Sequence, residues 1–306
     1  MSQKVVLITG CSSGIGLALA VRLAGHEKKR FMVYATMRDL SRGQDLVEAA
    51  GRALGRTLEV RQLDVRDETS ITTCVDGLPD RRVDVLISNA GVGLRGPIES
   101  QSMEEMRALM DTNFFGLVRL LKEVLPGMKR RRRGRIVVIS GVLGIQGVLF
   151  NDVYTASQFA LEGFCESLAV QALRFNLTVS VIQPGPVLTL FERKVYDEAV
   201  QMDLSEADQE TVDLFTNTYL KNNQQGFGPH GQTAEEVAQH TLKILTMADP
   251  PFRQRTDRNT RQQDRPGDTF DRPGLDHDQV YNATLSLLKR LPWTRHKTFH
   301  LDKNTL

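Results

Sequence analysis

The fold is decided by a short stretch near the start of the chain, Thr9-Gly10-Cys11-Ser12-Ser13-Gly14-Ile15-Gly16. It follows the apolar run Val5–Thr9 and opens the helical pattern Ile15–Leu23. Glycines at a strand-to-helix turn let the backbone approach a ligand, and the free N–H groups that begin the helix attract a pyrophosphate. Glycines also serve plain tight turns, so the meaning of this turn depends on the elements that follow it.

Short runs rich in Val and Ile alternate with longer amphipathic stretches up to about residue 185. The predicted strands are Val5–Thr9, Phe31–Met37, Leu58–Val65, Val83–Asn89, Arg135–Ser140 and Thr178–Gln183. The predicted helices between them are Ile15–Leu23, Gly43–Ala53, Glu68–Val75, Met103–Leu125 and Val153–Phe175. Runs that are apolar on both sides are typical of buried parallel strands, and this alternation builds right-handed βαβ units. The sequence therefore predicts an α/β fold, a doubly wound parallel sheet of Rossmann type in a single domain with a C-terminal extension.

The pattern weakens after about residue 190. We predict a motif-bearing core over residues 4–190 and substrate-loop helices over 190–250, which together form a domain of residues 1–250. Two of these helices are Ala207–Tyr219 and Ala234–Met247, the second with Thr233 as N-cap. Residues 251–306 are predicted to be a tail, partly mobile because residues 253–279 are dense in Arg, Asp, Gln, Pro and Gly. Within it, Val280–Leu291 has the pattern of a short amphipathic helix.

The composition excludes several classes of protein. The 306 residues are 41% hydrophobic and 25% charged, as in an ordinary globular protein, and the formal charge of +2 gives no reason to expect a nucleic-acid ligand. The three cysteines form no CxxC pair, which favours a reducing compartment, and the histidines show no metal-ligand spacing, so we predict no metal site. With no secretory signal and no apolar run of about 20 residues, we expect a cytoplasmic protein.

One charged run raises the question of membrane contact. The five adjacent cations Lys129–Arg133 follow a helix predicted to end near Pro126-Gly127. A solvated loop before a strand is the favoured interpretation. Because each cation near an anionic bilayer contributes about 1 kcal/mol of attraction, peripheral attachment to intracellular membranes is kept as a second hypothesis.

The end of the second predicted strand indicates the cofactor. Dinucleotide folds that take NAD usually carry an acidic residue there, to bind the ribose 2′-hydroxyl. This chain has Thr36-Met37-Arg38 instead. Arg38 could pair with a 2′-phosphate, with Ser12 as a hydroxyl donor, so the sequence predicts NADP(H). The alternative is that Arg38 is a solvated loop cation, and the neighbouring Asp39 leaves that alternative open.

Further motifs follow the later strands: Asp64, Asn89-Ala90-Gly91, Asn113 and Pro184-Gly185-Pro186, with Tyr154 in a YxASx setting. Together with the glycine turn they make residues 4–190 resemble the short-chain dehydrogenase/reductase superfamily. The stretches MKRRRRGRIVVIS and GVLFNDVYTASQFALEGFCESLAV resemble its retinol dehydrogenase 8 and 17β-hydroxysteroid dehydrogenase type 1 branch, whose members use NADP(H) on retinoids or oestrogenic steroids. The implied cofactor-binding residues are Thr9, Gly10, Ser12, Ser13, Gly14, Ile15, Gly16, Arg38, Asp64, Asn89, Ala90, Gly91, Gln158, Pro184, Gly185 and Val187.

The resemblance also assigns the catalytic positions. In this family a Tyr gives or takes the alcohol proton, a Ser holds the substrate oxygen, a Lys four residues after the Tyr binds the ribose and lowers the Tyr pKa, and an Asn anchors a relay water. Tyr154 and Asn113 occupy their places, but the Lys position is Gln158 and the Ser position is Gly141. Ser140 is adjacent, yet one step along a strand points a side chain to the opposite face, so it could substitute only if the strand end bends.

These two departures leave two hypotheses. The first is an NADP(H)-dependent oxidoreductase that acts on a lipophilic alcohol/carbonyl pair, retinol/retinal or 17β-hydroxy/17-keto steroid. The second is a catalytically impaired or inactive NADP(H)-binding protein, since losing an acid–base partner costs about 10²–10⁴ in rate and losing an oxyanion donor about 10²–10³. Without a nearby cation, the Tyr154 phenol is expected to stay near its reference pKa of about 10.

The substrate is expected to bind against residues that follow the sixth strand. Beside Gly141 and Tyr154, the predicted apolar wall consists of Val148, Leu149, Val187, Leu190, Phe191, Phe215 and Tyr219. The same residues could instead be core or interface. By resemblance, a histidine of the steroid enzymes falls at Asn222, which favours a retinoid. The family also implies a homodimer, built from the helices Met103–Leu125 and Val153–Phe175.

Overall fold

In the computed structural model, which describes residues 3–226 and 231–256, seven strands form one parallel sheet. The described residues contain nine strands in all, seven in this sheet and two in a separate pair: β1 (Lys4–Ile8), β2 (Phe31–Met37), β3 (Leu58–Gln62), β4 (Val85–Ser88), β5 (Gly134–Ile139), β6 (Leu177–Gln183), β7 (Val187–Leu188), β8 (Gln232–Thr233) and β9 (Arg253–Arg255). The large sheet has the order β3-β2-β1-β4-β5-β6-β9, and β7 pairs with β8 separately. The strand order reverses between β1 and β4, where such sheets bind ligands. The predicted doubly wound fold is confirmed.

Helices cover both faces of the sheet. They are α1 (Gly14–Ala24), α2 (Gln44–Ala50), α3 (Glu68–Asp76), α4 (Met103–Met110), α5 (Gly116–Arg131), α6 (Asp152–Leu173), α7 (Leu190–Val200), α8 (Gln209–Asp213), α9 (Lys221–Gly226) and α10 (Ala234–Thr246). A π-helix, Asp111–Phe115, joins α4 to α5, and a second, Leu214–Leu220, joins α8 to α9. Thr233 caps α10 as predicted, its Oγ1 accepting a hydrogen bond of 3.2 Å from the Glu236 N–H.

The strands are buried because both of their faces are apolar. Alternate residues of β1 point to opposite sides. Val6 and Ile8 belong to a core cluster with residues of α1, α2 and α10, and all of Val6, Leu7 and Ile8 are fully buried. On the other side α3 packs against α5, and α6 packs on β6. This arrangement fixes the carboxyl ends of β1, β4, β5 and β6 side by side, where the predicted motifs lie.

The basic run does not form the predicted loop. Helix α5 continues through Pro126 to Arg131, and Arg132 ends it in the left-handed conformation at φ 50°. The prediction that the helix ends near Pro126-Gly127 is therefore wrong. Lys129, Arg130 and Arg131 occupy the last turn, where positive side chains interact favourably with the negative end of the helix dipole.

The start of the predicted tail is also ordered differently from the expectation. Arg253–Arg255 forms an edge strand whose register pairs Val181 with Arg253. The Arg253 guanidinium forms ion pairs with Glu162 and Glu166 on α6. These two carboxylates, which are distant from Arg253 in the sequence, hold in place the start of a segment whose composition predicted mobility. The predicted helix Val280–Leu291 and the rest of the tail lie outside the described residues. No helix in the described ranges is long and apolar enough to cross a bilayer.

Candidate active site

The glycine turn forms an open helix end. Gly10 and Gly14 have φ angles of +71° and +57°, a region that side chains disfavour. A Cβ on Gly16 would lie 2.1 Å from the Gly10 carbonyl oxygen, so the helix can enter beside the turn only with glycine there. Ser13 precedes α1 but makes no side-chain capping bond, and the first turn contains no acidic residue. The first amides of α1 are therefore available to an anionic ligand.

Thr9 and Asn89 hold this turn in place. The Asn89 side-chain amide donates to the carbonyl oxygens of Thr9 and Gly10 at 3.0 and 3.1 Å. Thr9 Oγ1 accepts from the backbone N–H groups of Asn89 and Ala90 at 3.0 and 3.1 Å. The hydroxyl of Thr9 is thus used to join the ends of β1 and β4, and the residue is 1% exposed.

A cleft of about 1040 Å³ opens at this edge of the sheet, which is large enough for a dinucleotide and part of a substrate. Most of the predicted cofactor residues line it: Gly10, Ser12, Ser13, Gly14, Ile15, Arg38, Asp64, Asn89, Ala90, Gly91, Gln158, Pro184, Gly185 and Val187. Thr9 and Gly16 lie behind the lining. Within the described residues, no group of three or more His, Cys, Asp and Glu side chains is arranged to hold a metal ion.

The end of β2 presents cations to the cleft. Arg38 is exposed and lines the cleft, together with Arg42, which the sequence reasoning missed. Asp39 Oδ1 accepts hydrogen bonds of 2.9 and 2.7 Å from the N–H and hydroxyl of Ser41, and these bonds lower the pKa of Asp39. The carboxylate that left the cofactor prediction open is therefore engaged in capping the turn Leu40–Arg42.

Asp64 stays charged at the same end of the cleft. Burial opposes its ionisation, but hydrogen bonds and charge from Arg66 outweigh burial and lower the pKa of Asp64. Its Oδ1 accepts from the Arg66 N–H at 2.9 Å, and the Arg66 guanidinium lies 3.2 Å from Oδ2.

Asn113 lies in the first π-helix and is 5% exposed. Its Oδ1 accepts from the Val92 N–H at 2.8 Å, and its Nδ2 donates to the Val92 carbonyl at 2.9 Å and to Ser157 Oγ at 3.1 Å. Ser157 Oγ donates in turn to the Tyr154 carbonyl at 2.7 Å. Asn113 is thereby fixed against the loop after β4 and against the helix that carries Tyr154. The sequence reasoning did not select Ser157, although it stands inside the YxASx motif.

Gln158 presents an acceptor at the position where the family has a cation. The Ser157 hydroxyl donates its single hydrogen to the backbone carbonyl oxygen of Tyr154. Towards Gln158 it can therefore only accept, and Gln158 Nε2 donates to Ser157 Oγ at 3.3 Å. Gln158 is 4% exposed, and its Oε1 has no partner within the described part of the chain. A buried oxygen without a partner is rare and indicates a missing donor. The Gln158 amide therefore has an acceptor, Oε1, and the second hydrogen of Nε2 left for a ligand, but no charge.

Gly141 leaves an empty space at the position of the family Ser. It follows β5 with φ 166° and ψ 170°, an extended conformation that any residue adopts. A Cβ there would lie 3.7 Å from the Pro184 carbonyl oxygen, an ordinary contact. Ser140 does not substitute, because its Oγ donates to Glu162 Oε1 at 2.8 Å. Ser140 follows the end of β5 and lines the cleft beside Gly141, so its hydrogen bond to Glu162, and not a position on the opposite face, is what engages its hydroxyl.

Tyr154 lies in the first turn of α6 and lines the cleft. Burial raises the pKa of Tyr154 to about 12, with a further increase from the charge of Glu192 and an opposing effect from Arg95. This pKa lies above the value expected from the sequence. Arg95 and Glu192 form an ion pair although they are 97 residues apart in the chain. No local pattern relates two such positions, so this pair could not be predicted from the sequence.

The structure brings part of the predicted substrate wall to the cleft. Gly141, Val148, Leu190, Phe191 and Tyr219 line the cleft with Tyr154, and the Phe191 ring lies 6.4 Å from the Tyr154 ring. Two predicted residues do not line it. Leu149 is 51% exposed, and Phe215 is fully buried in a small core cluster.

By resemblance, Asn222 stands where the steroid enzymes have a histidine, but the structure does not place Asn222 in the cleft lining. Asn222 is exposed and lies outside the cleft lining, and Asn223 takes part in the lining instead. The Tyr219 hydroxyl accepts from Asn151 Nδ2 at 3.0 Å, which fixes the phenol at the cleft wall. Polar side chains thus interrupt the apolar wall at this end.

Comparisons with known proteins agree with this geometry. Residues 4–199 match the family model described as short chain dehydrogenase. Retinol dehydrogenase 8 of Homo sapiens is 52% identical over 255 residues, which cover 83% of this chain and 82% of that protein. The 17-beta-hydroxysteroid dehydrogenase type 1 of Homo sapiens is 47% identical over 256 residues, 83% of this chain and 77% of that protein. A variant of actinorhodin polyketide ketoreductase, solved with NADPH, is 28% identical with a TM-score of 0.67, covering 83% of this chain and 95% of that chain.

Proposed function

Because the chain belongs to the short-chain dehydrogenase family and is an oxidoreductase of that type, we propose that it transfers hydride between NADP(H) and a lipophilic alcohol or carbonyl compound. The retinol/retinal pair is the first choice of substrate, and a 17β-hydroxy/17-keto steroid is the second. One observation supports the proposal most directly: Tyr154 lines the same cleft as the open end of α1.

The residues of the cleft fit a phosphorylated dinucleotide. The uncapped amides of α1 and the left-handed Gly10 and Gly14 suit a pyrophosphate. Arg38 and Arg42 line the cleft and suit a 2′-phosphate, while Asp39, which also lines it, has one carboxylate oxygen engaged by Ser41. When bound, the dinucleotide supplies or accepts the hydride. The ketoreductase structure with NADPH supports the same choice of cofactor.

The chain's own residues would supply the proton and the orientation. In carbonyl reduction the Tyr154 phenol donates its proton to the substrate oxygen as hydride reaches the carbon, and in alcohol oxidation the phenolate takes that proton back. Asn113 and Ser157 fix the helix turn that carries Tyr154. Gln158 Oε1 would accept a hydrogen bond from a ribose hydroxyl. Gly141 offers no donor to the substrate oxygen.

A second candidate function rests on the same two positions. Gly141 carries no hydroxyl, and Gln158 carries no charge beside a phenol whose pKa is raised to about 12. These features favour a protein that binds NADP(H) with little or no turnover. We keep this catalytically impaired protein as the alternative.

One experiment separates the two functions. Calorimetry measures NADPH binding, and absorbance at the nicotinamide band follows NADPH with all-trans-retinal or oestrone. Turnover by the unchanged chain within about tenfold of the Gly141→Ser, Gln158→Lys double variant supports the enzyme. NADPH binding without turnover that the double variant restores supports the alternative. The absence of binding by any nicotinamide cofactor contradicts both.

Two surfaces of the chain bear on its partners. The helices from α4 to α6 expose Met103, Phe115 and Phe159 by 56%, 48% and 41%, and we propose that these apolar side chains form a homodimer interface. The basic end of α5 supports peripheral membrane contact as a further proposal. Light scattering tests the first through the mass in solution, and flotation with anionic vesicles at low and high salt tests the second.

A further inference from the structure

An ion pair lies in the cleft beside the proposed catalytic tyrosine. Arg95 comes from the loop after β4, and Glu192 comes from the first turn of α7. Their side chains are only 11% and 21% exposed, and both residues line the cleft with Tyr154. Glu192 directly follows Phe191, whose ring lies 6.4 Å from the ring of Tyr154. The pair is therefore in a partly desolvated environment, in which charges act over a longer range than in water.

Among the described residues, the side chains that α6 and the two π-helices contribute to the cleft lining carry no charge. Gln158 on α6 and Asn113 in the first π-helix are neutral amides, and Tyr219 in the second π-helix is a phenol hydrogen-bonded to Asn151. Further along α7, Arg193 and Asp197 also line the cleft, and Lys194 pairs with Glu198 at the surface, where both side chains are more than half exposed. Arg38, Arg42, Asp64 and Arg66 lie at the nucleotide end of the cleft. The charges that act on Tyr154 come from Glu192 and Arg95.

We propose that Arg95 and Glu192 are positioning charges for Tyr154, with Arg95 favouring its phenolate, as a cation at residue 158 would, and Glu192 favouring its phenol. This inference rests on the proposed function, because it assumes that Tyr154 exchanges a proton with the substrate. In the present arrangement the effect of Glu192 on the pKa of Tyr154 exceeds that of Arg95. The pair therefore adds to burial, which is the larger cause, in favouring the protonated form of Tyr154.

A purely structural role for the pair makes a different prediction. If the ion pair only held α7 against the loop after β4, removing either partner would break the same link, and both substitutions would have the same effect. The charge role predicts opposite effects. Glu192→Gln should move the ionisation of Tyr154 to lower pH, and Arg95→Gln should move it to higher pH, each on the order of one pH unit.

The test measures alcohol oxidation with NADP⁺ and all-trans-retinol from about pH 7 to pH 11, where the rate rises as Tyr154 loses its proton. The Gly141→Ser background is used because it is expected to raise turnover without changing the charge of the site. The rate of oxidation is plotted against pH for Glu192→Gln, Arg95→Gln and the double variant, and the shift of the rising part of each curve along the pH axis is compared. Glu192→Asp, which keeps the charge, should restore the original limb. Arg22→Gln with Glu235→Gln removes a remote ion pair and should not move it.

A second measurement does not need turnover. Tyrosinate absorbance is titrated for each variant with and without Tyr154→Phe, and the difference isolates Tyr154. Displacements of opposite sign in the two single variants support the proposal. Displacements of the same sign, or none, while NADPH binding and turnover persist, overturn it and leave the proposed function intact. If no variant binds NADPH by calorimetry, the proposed function fails and this inference fails with it.

Discussion

Replacing Gly141 by Ser tests whether the site lacks only a hydroxyl. The substitution adds one donor at the end of β5, next to the space that the substrate oxygen would occupy. The backbone at Gly141 is extended, so serine can adopt it without strain, and the new Cβ would lie 3.7 Å from the Pro184 carbonyl oxygen. Neither the backbone nor a neighbour must move, and the thermal midpoint should change little.

The expected gain follows from the role of such a donor. A hydrogen bond to a developing oxyanion contributes about 10²–10³ in rate. We therefore expect Gly141→Ser to raise kcat for carbonyl reduction by about 100-fold. The Kd for NADPH should be unchanged, because the role proposed for residue 141 is a contact with the substrate oxygen and not with the phosphates. Adding Gln158→Lys should give less than the product of the two single gains, since groups of one catalytic unit do not act independently.

The assay is stopped-flow or steady-state absorbance at the nicotinamide band with all-trans-retinal, beside calorimetry with NADPH. Gly141→Ala is the matched control, because it adds the same Cβ without the hydroxyl and should leave the rate unchanged. Equal rates for Gly141→Ser and Gly141→Ala, in proteins that bind NADPH equally, would refute the assignment of residue 141 to the substrate oxygen. A loss of NADPH binding in Gly141→Ser would refute the geometry itself.

Four further predictions concern the cofactor, the glycine turn, helix α6 and the acid–base group. Arg38→Ala should weaken NADPH binding about tenfold or more while NADH binding is unchanged, as measured by calorimetry; an equal loss for both would contradict the 2′-phosphate contact. Gly16→Ala should abolish dinucleotide binding and lower the thermal midpoint, because its Cβ would lie 2.1 Å from a carbonyl oxygen. Gly163→Ala on α6 has nothing within 4 Å of its new Cβ, so it should stabilise the fold by about 1 kcal/mol. Since the pKa of Tyr154 is raised to about 12, carbonyl reduction should be independent of pH between about pH 6 and 9, whereas alcohol oxidation should rise throughout that range; a plateau of oxidation near pH 8 would show that the phenol ionises earlier.

The sequence by itself determined the order of strands and helices, because apolar periodicity is local and is written along the chain. It also determined the glycine turn, the position of Tyr154, and the absence of a hydroxyl and a cation at Gly141 and Gln158, since each depends on residue identity at a fixed spacing. Strand ends were placed within a few residues, with β3 ending at Gln62 instead of Val65. These features need no knowledge of distant contacts.

Only the tertiary structure decided how those residues are used. It engaged Asp39 Oδ1 with Ser41, bonded Gln158 Nε2 to Ser157 while leaving Gln158 Oε1 without a partner among the described residues, and brought Glu192 to Arg95 in the cleft that Tyr154 lines. The hydrogen bonds and charges that set ionisation form between groups that folding brings together from distant parts of the chain. Their energy depends on distance and burial, and neither quantity can be read from the spacing of residues along the chain.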